Sequence, residues 1–227
     1  MNPPAHPRIL TDDLLLLAYR PDTGRPMVDA NRLQCGLAGA LIAETVLAGT
    51  ASLDDGGHLR ASGRHRTGDP DVDGAVEQIA SQPKARKAKW WVQRMNKGAL
   101  RKRLLGRAVS VGALAHEQGR ALGIFPTDDY RPARPGSREE AVERLRSVLT
   151  GRSRPDPRSA ALVALVGAVR LDAKLFPDIP GGDRRRRIKA AMAGDDIGRA
   201  VRDVIQSIEG AVVAAVAAGG AAAGGGS

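Results

Sequence analysis

Ten basic side chains fall within residues 78–116: Lys84, Arg86, Lys87, Lys89, Arg94, Lys97, Arg101, Lys102, Arg103 and Arg107. No acidic residue lies among them. The chain of 227 residues carries 35 basic and 25 acidic side chains, so its formal charge of +10 resides in this one stretch. A local field of one sign fits an anionic partner, whereas diffuse charge bears mainly on solubility. Trp90 and Trp91, the two tryptophans, sit inside the same stretch. Basic side chains around an aromatic pair suit a phosphate-bearing surface, either a lipid headgroup layer or a nucleic acid. The plainer reading is a solvated basic helical face with its tryptophans in the core.

Spacing sharpens the first reading. Arg94, Lys97 and Arg101 are separated by three and four residues. A helix running on through Gly98 would put them on one face, with Lys102 and Arg103 beside it and Leu100 and Leu104 opposite. Such a face could clamp one phosphate group or lie along an anionic layer. Each basic residue near an anionic membrane adds on the order of 1 kcal/mol, enough for reversible docking when several act together. Leu122, Ile124 and Phe125, in a second hairpin, could supply an apolar contribution to docking; the alternative is that they pack back on the domain.

Other constellations are weaker. His6, His58, His65 and His116 are far apart and show no metal-ligand spacing. Cys35 lies mid-helix among apolar residues, which reads as a buried thiol rather than a nucleophile, and a single cysteine forbids an intramolecular disulfide. No phosphate-cradling glycine loop or dinucleotide fingerprint is present. Asp54-Asp55 and Asp128-Asp129 read as solvated turn residues. No catalytic residue, metal site or cofactor is expected.

The positioning elements follow from pattern. Aromatics are 3% of residues, so alanine, leucine and valine must fill the core, which favours close-packed helices. Residues 1–8 read as a flexible arm, residues 9–218 as one domain, and residues 219–227 as a disordered Ala/Gly tail. Thr11 is expected to cap a first helix, with Asp12 and Asp13 favouring its dipole and Leu14 to Leu17 buried all round. A long helix over Ala30–Leu47 carries Gly36, Ala38, Gly39, Ala40 and Ala43, which permit close approach of another helix. Asp54-Asp55-Gly56-Gly57 predicts a small hairpin. Gly98 permits a bend or restart between helices over residues 84–95 and 99–111. A second hairpin over residues 114–130 is expected to turn near Gly119. Ser137 and Glu140 predict a capping box. Residues 157–176 read as an apolar central helix, residues 183–193 as an amphipathic helix with a solvated run from Arg184 to Arg187, and residues 197–218 as the last helix. The N-terminus has no signal architecture, and no run of about 18 apolar residues occurs, so any membrane contact is expected to be peripheral.

The order of these motifs resembles the Golgi phosphoprotein 3-like family. The resemblance rests on the opening Leu10-Thr11-Asp12-Asp13-Leu14-Leu15-Leu16-Leu17, on Gly36 to Glu44 with Gly49, on Leu100-Arg101-Lys102-Arg103-Leu104 through Gly112-Ala113-Leu114, on residues 158–176, and on residues 211–217. It implies a mainly helical single domain around central apolar helices, with one or two small β-hairpins. Eukaryotic members are peripheral membrane proteins that bind phosphatidylinositol 4-phosphate and help retain Golgi enzymes. The family's lipid pocket implies a tryptophan where this chain has Asp29 and an arginine where it has Ala38. A later arginine pair falls at Arg101 and near Gly98, beside Lys97. The Ala/Arg/Gly-rich composition suggests a GC-rich bacterium, where a Golgi role has no counterpart.

The expectation is a non-enzymatic, cytoplasmic, peripherally membrane-associated adaptor. Its headgroup-binding residues would be Arg94, Lys97, Arg101, Lys102 and Arg103, and its membrane-insertion hairpin would carry Leu122, Ile124 and Phe125. Its partners would be an anionic phospholipid or phosphoinositide surface and an unidentified protein client, and it could self-associate. Nucleic-acid binding through the same patch, or a helical interior holding an apolar small molecule, are the alternatives.

Overall fold

The computed structural model describes residues 8–63, 66–121, 125–193 and 199–223. They form ten helices and two small antiparallel sheets. The helices are α1 (Leu10–Ala18), α2 (Ala30–Leu47), α3 (Pro70–Ala80), α4 (Ala88–Met95), α5 (Gly98–Ser110), α6 (Ser137–Leu149), α7 (Pro157–Ala168), α8 (Asp172–Leu175), α9 (Gly181–Met192) and α10 (Arg199–Ala223). Strands β1 (Ala51–Leu53), β2 (His58–Ala61) and β3 (Arg86–Lys87) make one sheet, and β4 (Leu114–Ala121) pairs with β5 (Phe125–Pro132) in the other.

The core forms where helices are apolar on every side. Leu14, Leu15, Leu16 and Leu17 are all buried, each contributing about 1.5–3 kcal/mol by leaving water. In α2 every residue from Cys35 to Thr45 is buried. α2 packs on α1, α3, α4, α7 and α10. Its glycines make this possible. A Cβ on Gly36 would lie 2.5 Å from Val169 Cγ1, and one on Gly39 would lie 2.6 Å from Val212 Cγ2. Asp156 caps α7 and accepts from the Arg158 and Ser159 N–H groups, while the Ser159 hydroxyl accepts from the Asp156 N–H.

Several expected boundaries move. α1 starts two residues earlier than a Thr11 cap allows, because the Asp12 carboxylate accepts the Ile9 N–H at 2.9 Å. The second hairpin does not turn at Gly119, which pairs with Thr127 inside the ladder. Gly119 is needed there for space: a Cβ would meet Thr127 Oγ1 at 2.8 Å. Ser137 does not cap α6. Gly136, in the left-handed region at φ 77°, precedes the helix, the Ser137 hydroxyl donates to the Arg134 carbonyl, and Glu140 pairs with Arg134. The apolar segment over 157–176 is two helices, interrupted at Arg170, whose φ is 62°. Arg184 is not solvated: it donates to Asp172 at 2.9 Å and to the Phe176 carbonyl at 3.3 Å. α10 runs on through Gly219 and Gly220 to Ala223, carried by alanine's helix preference. Residues 1–7 of the arm, with His6, and residues 224–227 of the tail lie outside the described residues, as do His65, Asp195 and Asp196.

The β1–β2 turn is held by Asp54. Its carboxylate accepts from the His58 N–H at 2.9 Å, the Gly56 N–H at 3.0 Å and Arg60 Nε at 3.0 Å. These donors, led by the His58 N–H, hold the carboxyl down at about 2. This sheet also pins β3, pairing Lys87 with His58 and Arg86 with Leu59.

Three outcomes follow. Gly39→Ala forces a Cβ against stiff, β-branched Val212 and should lower stability by about 1–3 kcal/mol in urea unfolding. Gly106→Ala, where no atom lies within 4 Å of the added Cβ, should raise it by about 0.5–1 kcal/mol. The Asp54 carboxylate stabilises the folded hairpin above the ordinary carboxyl pKa, and that contribution is lost as pH falls towards about 2. An NMR titration should therefore show Asp54 protonating near 2, with the His58 amide shift changing at the same midpoint.

Candidate functional site

The basic stretch folds as β3, α4 and α5, and it divides into cations turned inward and cations turned outward. Arg107 is buried. Its guanidinium lies 3.2 Å from Asp12 Oδ2 and 2.5 Å from Asp69 Oδ2. Each of these acids is at a helix start. Asp12 accepts the Ile9 N–H before α1, and Asp69 caps α3 by accepting the Asp71 and Val72 N–H groups at 3.0 and 3.1 Å. One arginine of α5 therefore ties the N-terminal ends of α1 and α3. Burial raises the Asp12 carboxyl above its ordinary range, against the opposing pull of the Ile9 N–H and Arg107. Arg103, one turn earlier, donates to the buried Asp71 carboxylate at 2.5 Å. Arg103 is thus drawn towards α3 as a partner of Asp71, with its side chain still 55% exposed.

Outward cations gather at the α4–α5 junction. The helix does not continue through Gly98: α4 ends at Met95, Asn96 leaves the helical region at ψ 76°, and Lys97 is extended. The break is held from outside, because the Asn96 side-chain amide donates to Asn31 Oδ1 and to the Cys35 sulfur, both at 3.2 Å. Arg94, Lys97 and Arg101 therefore belong to the last turn of α4, the junction and the first turn of α5, and share no single helical face. The restart has its own chemistry. No side chain caps α5, and Gly98 is open, with no atom within 4 Å of a Cβ built there. The Leu100 and Arg101 N–H groups donate back to the Lys97 carbonyl at 3.0 and 3.4 Å, which leaves the Gly98 and Ala99 N–H groups at the uncapped start next to Lys97, an end that favours an anion. Arg94, Lys97 and Lys102 are exposed and Arg101 half-buried, and among the described residues no carboxylate pairs with any of them.

Beside this junction lies an aromatic cluster absent from the sequence reading. Tyr19, at the end of α1, meets Tyr130 of β5 edge-on at 5.5 Å between ring centroids. His116 of β4 stacks on Tyr130 at 4.7 Å and pairs through Nε2 with Asp128 at 2.7 Å. Burial pushes the Tyr19 hydroxyl up to about 12, with the positive charge of Arg101 pulling the other way. The turn at residues 20–28 clasps the hairpin, with the Gly24 carbonyl accepting the Tyr130 N–H at 2.8 Å. A Cβ on Gly24 would lie 2.7 Å from Asp129 Cβ, and its φ of 67° also requires glycine. The tip residues Leu122 and Ile124 lie outside the described residues, and Phe125 opens β5 opposite Ala121.

Trp91 is buried in the core, while Trp90 is half-buried under the Arg86 guanidinium at 5.3 Å. The core placement expected for the pair therefore holds fully for Trp91, while Trp90 is only partly covered. Asp29 caps α2 and pairs with Arg32 at 3.0 Å, and Ala38 is buried.

The matching family model spans residues 10–208 and is described as Golgi phosphoprotein 3 (GPP34). The chain belongs to the Golgi phosphoprotein 3 family. No curated protein sequence matches it. The α5 start, which the resemblance singled out, is thus a cationic junction in a true family member, while the positions at Asp29 and Ala38 carry no cation.

Cys35 is buried, with its thiol pushed up to about 11 by burial, so it is protonated and inert at neutral pH. Among the described residues no group of three or more His, Cys, Asp or Glu side chains could hold a metal, and no helix is long and apolar enough to cross a membrane.

Replacing Arg107 by leucine leaves Asp12 and Asp69 buried opposite an apolar group, at a cost of about 3–5 kcal/mol at pH 7. Because the folded Asp12 carboxyl is already raised, its favourable contribution is present at low pH and lost as pH rises through its folded value. The Arg107→Leu penalty measured by urea unfolding should therefore be smaller at pH 5 than at pH 7. An equal penalty at both would show that Asp12 does not carry it.

Proposed function

We propose that this protein is a non-enzymatic peripheral membrane adaptor that docks on anionic phospholipid, with phosphoinositides among the headgroups it accepts. The observation that carries this reading is the uncapped start of α5 at Gly98, set between Lys97 and Arg101. Arg94 and Lys102 extend the positive surface, and none of these cations is neutralised by an acid among the described residues. A phosphate seated there would accept from the first N–H groups of α5 and from two cationic side chains. The aromatic cluster of Tyr19, Tyr130 and His116 ties the base of the second hairpin, the hairpin that carries Leu122, Ile124 and Phe125, to the end of α1. In this reading that hairpin enters the apolar layer while the junction binds headgroups. Family membership supports a lipid-binding adaptor with a protein client, and a cytoplasmic membrane face is where such an adaptor would work. With Asp29 and Ala38 in place of the family's other pocket residues, selectivity among anionic headgroups should be broad.

Vesicle co-sedimentation tests this. The chain should bind anionic and phosphoinositide vesicles but not neutral ones, and more weakly at high salt. Arg101→Glu removes one favourable charge and adds a repulsive one, which should weaken binding about 10- to 30-fold. Absence of binding to every vesicle, with duplex DNA retained instead, would contradict the proposal and favour nucleic acid as the partner of this patch.

A further inference from the structure

Far along the chain from the basic stretch, α9 and α10 both pack on α7 but scarcely on each other. Between them is a cleft of about 530 Å³, a size usual for small-molecule sites. Its floor is apolar, made by Ala168, Ile188 and Met192, and its rim carries Arg170, Arg185 and Lys189. Arg170, at the mouth, ends α7 in the left-handed region at φ 62°, its N–H donating to the Gly167 carbonyl at 3.0 Å and the Leu171 N–H to the Val166 carbonyl at 2.9 Å. Two further features meet here. Val213, in the wall, is the only exposed large hydrophobic side chain among the described residues, at 48%. Glu209 lines the cleft half-buried and, among the described residues, without an ion-pair partner.

The charges decide which ligand fits. Asp172 in the wall is already offset by Arg184 at 2.9 Å. Burial raises the Glu209 carboxyl above its ordinary range, and even ionised it sets one negative charge against the three positive charges of Arg170, Arg185 and Lys189. Arg170, Arg185 and Lys189 then leave the rim positive above an apolar floor. Arg185 and Lys189 are four residues apart on α9, one turn along the same face as Ile188 and Met192. A wholly apolar ligand would leave these cations unused, and a small inorganic anion would leave the exposed Val213 uncovered. We propose that this cleft binds a single-chain anionic amphiphile of the fatty-acid type, its carboxylate at Arg170, Arg185 and Lys189 and its acyl chain along Ile188, Met192 and Val213. The site is separate in sequence and in elements from the α4–α5 junction and does not depend on the membrane-docking reading.

Calorimetric titration of the full chain with dodecanoate, below its micelle concentration, tests the proposal, with dodecanol and dodecylamine as headgroup controls. Dodecanoate should saturate at one molecule per chain, and both controls should bind at least about 10-fold more weakly. Lys189→Glu and Val213→Asp, both at exposed positions, should each weaken dodecanoate about 10-fold or more. Arg170→Gly should do the same while keeping the fold, since glycine adopts that φ freely. Arg101→Glu should leave dodecanoate binding unchanged, which separates this site from the membrane junction. Absence of dodecanoate binding, equal binding of dodecylamine, or indifference to all three cleft variants would overturn it.

Discussion

The first turn of α1 is the point on which the rest of the molecule closes. Asp12 is fully buried and faces Arg107 of α5, which also holds Asp69 at the start of α3. One residue on, Asp13 accepts from Arg158 of α7 at 3.2 Å. Arg158 also donates to Glu44 of α2, whose carboxylate accepts the Leu10 N–H at 2.6 Å. Five helices therefore meet through two arginines and a few carboxylates at the edge of an otherwise apolar core. Buried charges of this kind cost a great deal when unpaired and fix geometry when paired. Here they set the position of α5, and so of the junction that precedes it.

That constraint explains why so basic a helix can be part of a packed domain. Arg103 and Arg107 are spaced by one turn and point to acids of α1 and α3. Leu100, Leu104 and Ala108 fill the core. The remaining cations are left at the N-terminal end, where α5 has no cap and its dipole is positive. The helix is thus divided: its middle holds the fold, and its start presents charge. The hairpin follows directly from the other end of α5 and is tied back to the end of α1 through Tyr130 and Tyr19.

Much of this was legible in the chain. The Leu14 to Leu17 block, the small residues of α2, the β1–β2 hairpin and the localisation of charge all follow from periodicity and composition, whereas the single helical face expected from the spacing of Arg94, Lys97 and Arg101 does not form. What was not legible depends on partners distant in sequence. The break at Asn96 is held by Asn31 and Cys35. Arg103 and Arg107 look like free cations until α1 and α3 deliver their acids. The Asp69-Pro70 pair, an N-cap followed by proline, was the available signal for one of those acids. Gly119 reads as a turn because glycine commonly marks one, yet here it makes room for Thr127 across the ladder. The α9–α10 cleft has no sequence signature at all, since it arises from two helices diverging over a third.

The central claim is that α5 faces two ways, with its start open to an anionic layer and its middle locked inward. Amide hydrogen exchange of the full chain, free and on anionic vesicles, tests this most directly. The account predicts slower exchange on vesicles across residues 97–102 and the β4–β5 hairpin, with α7 and α9 unchanged and the amides around Arg107 equally protected in both states. Protection confined to α7 and α9, or no change at the α5 start despite vesicle binding, would contradict it.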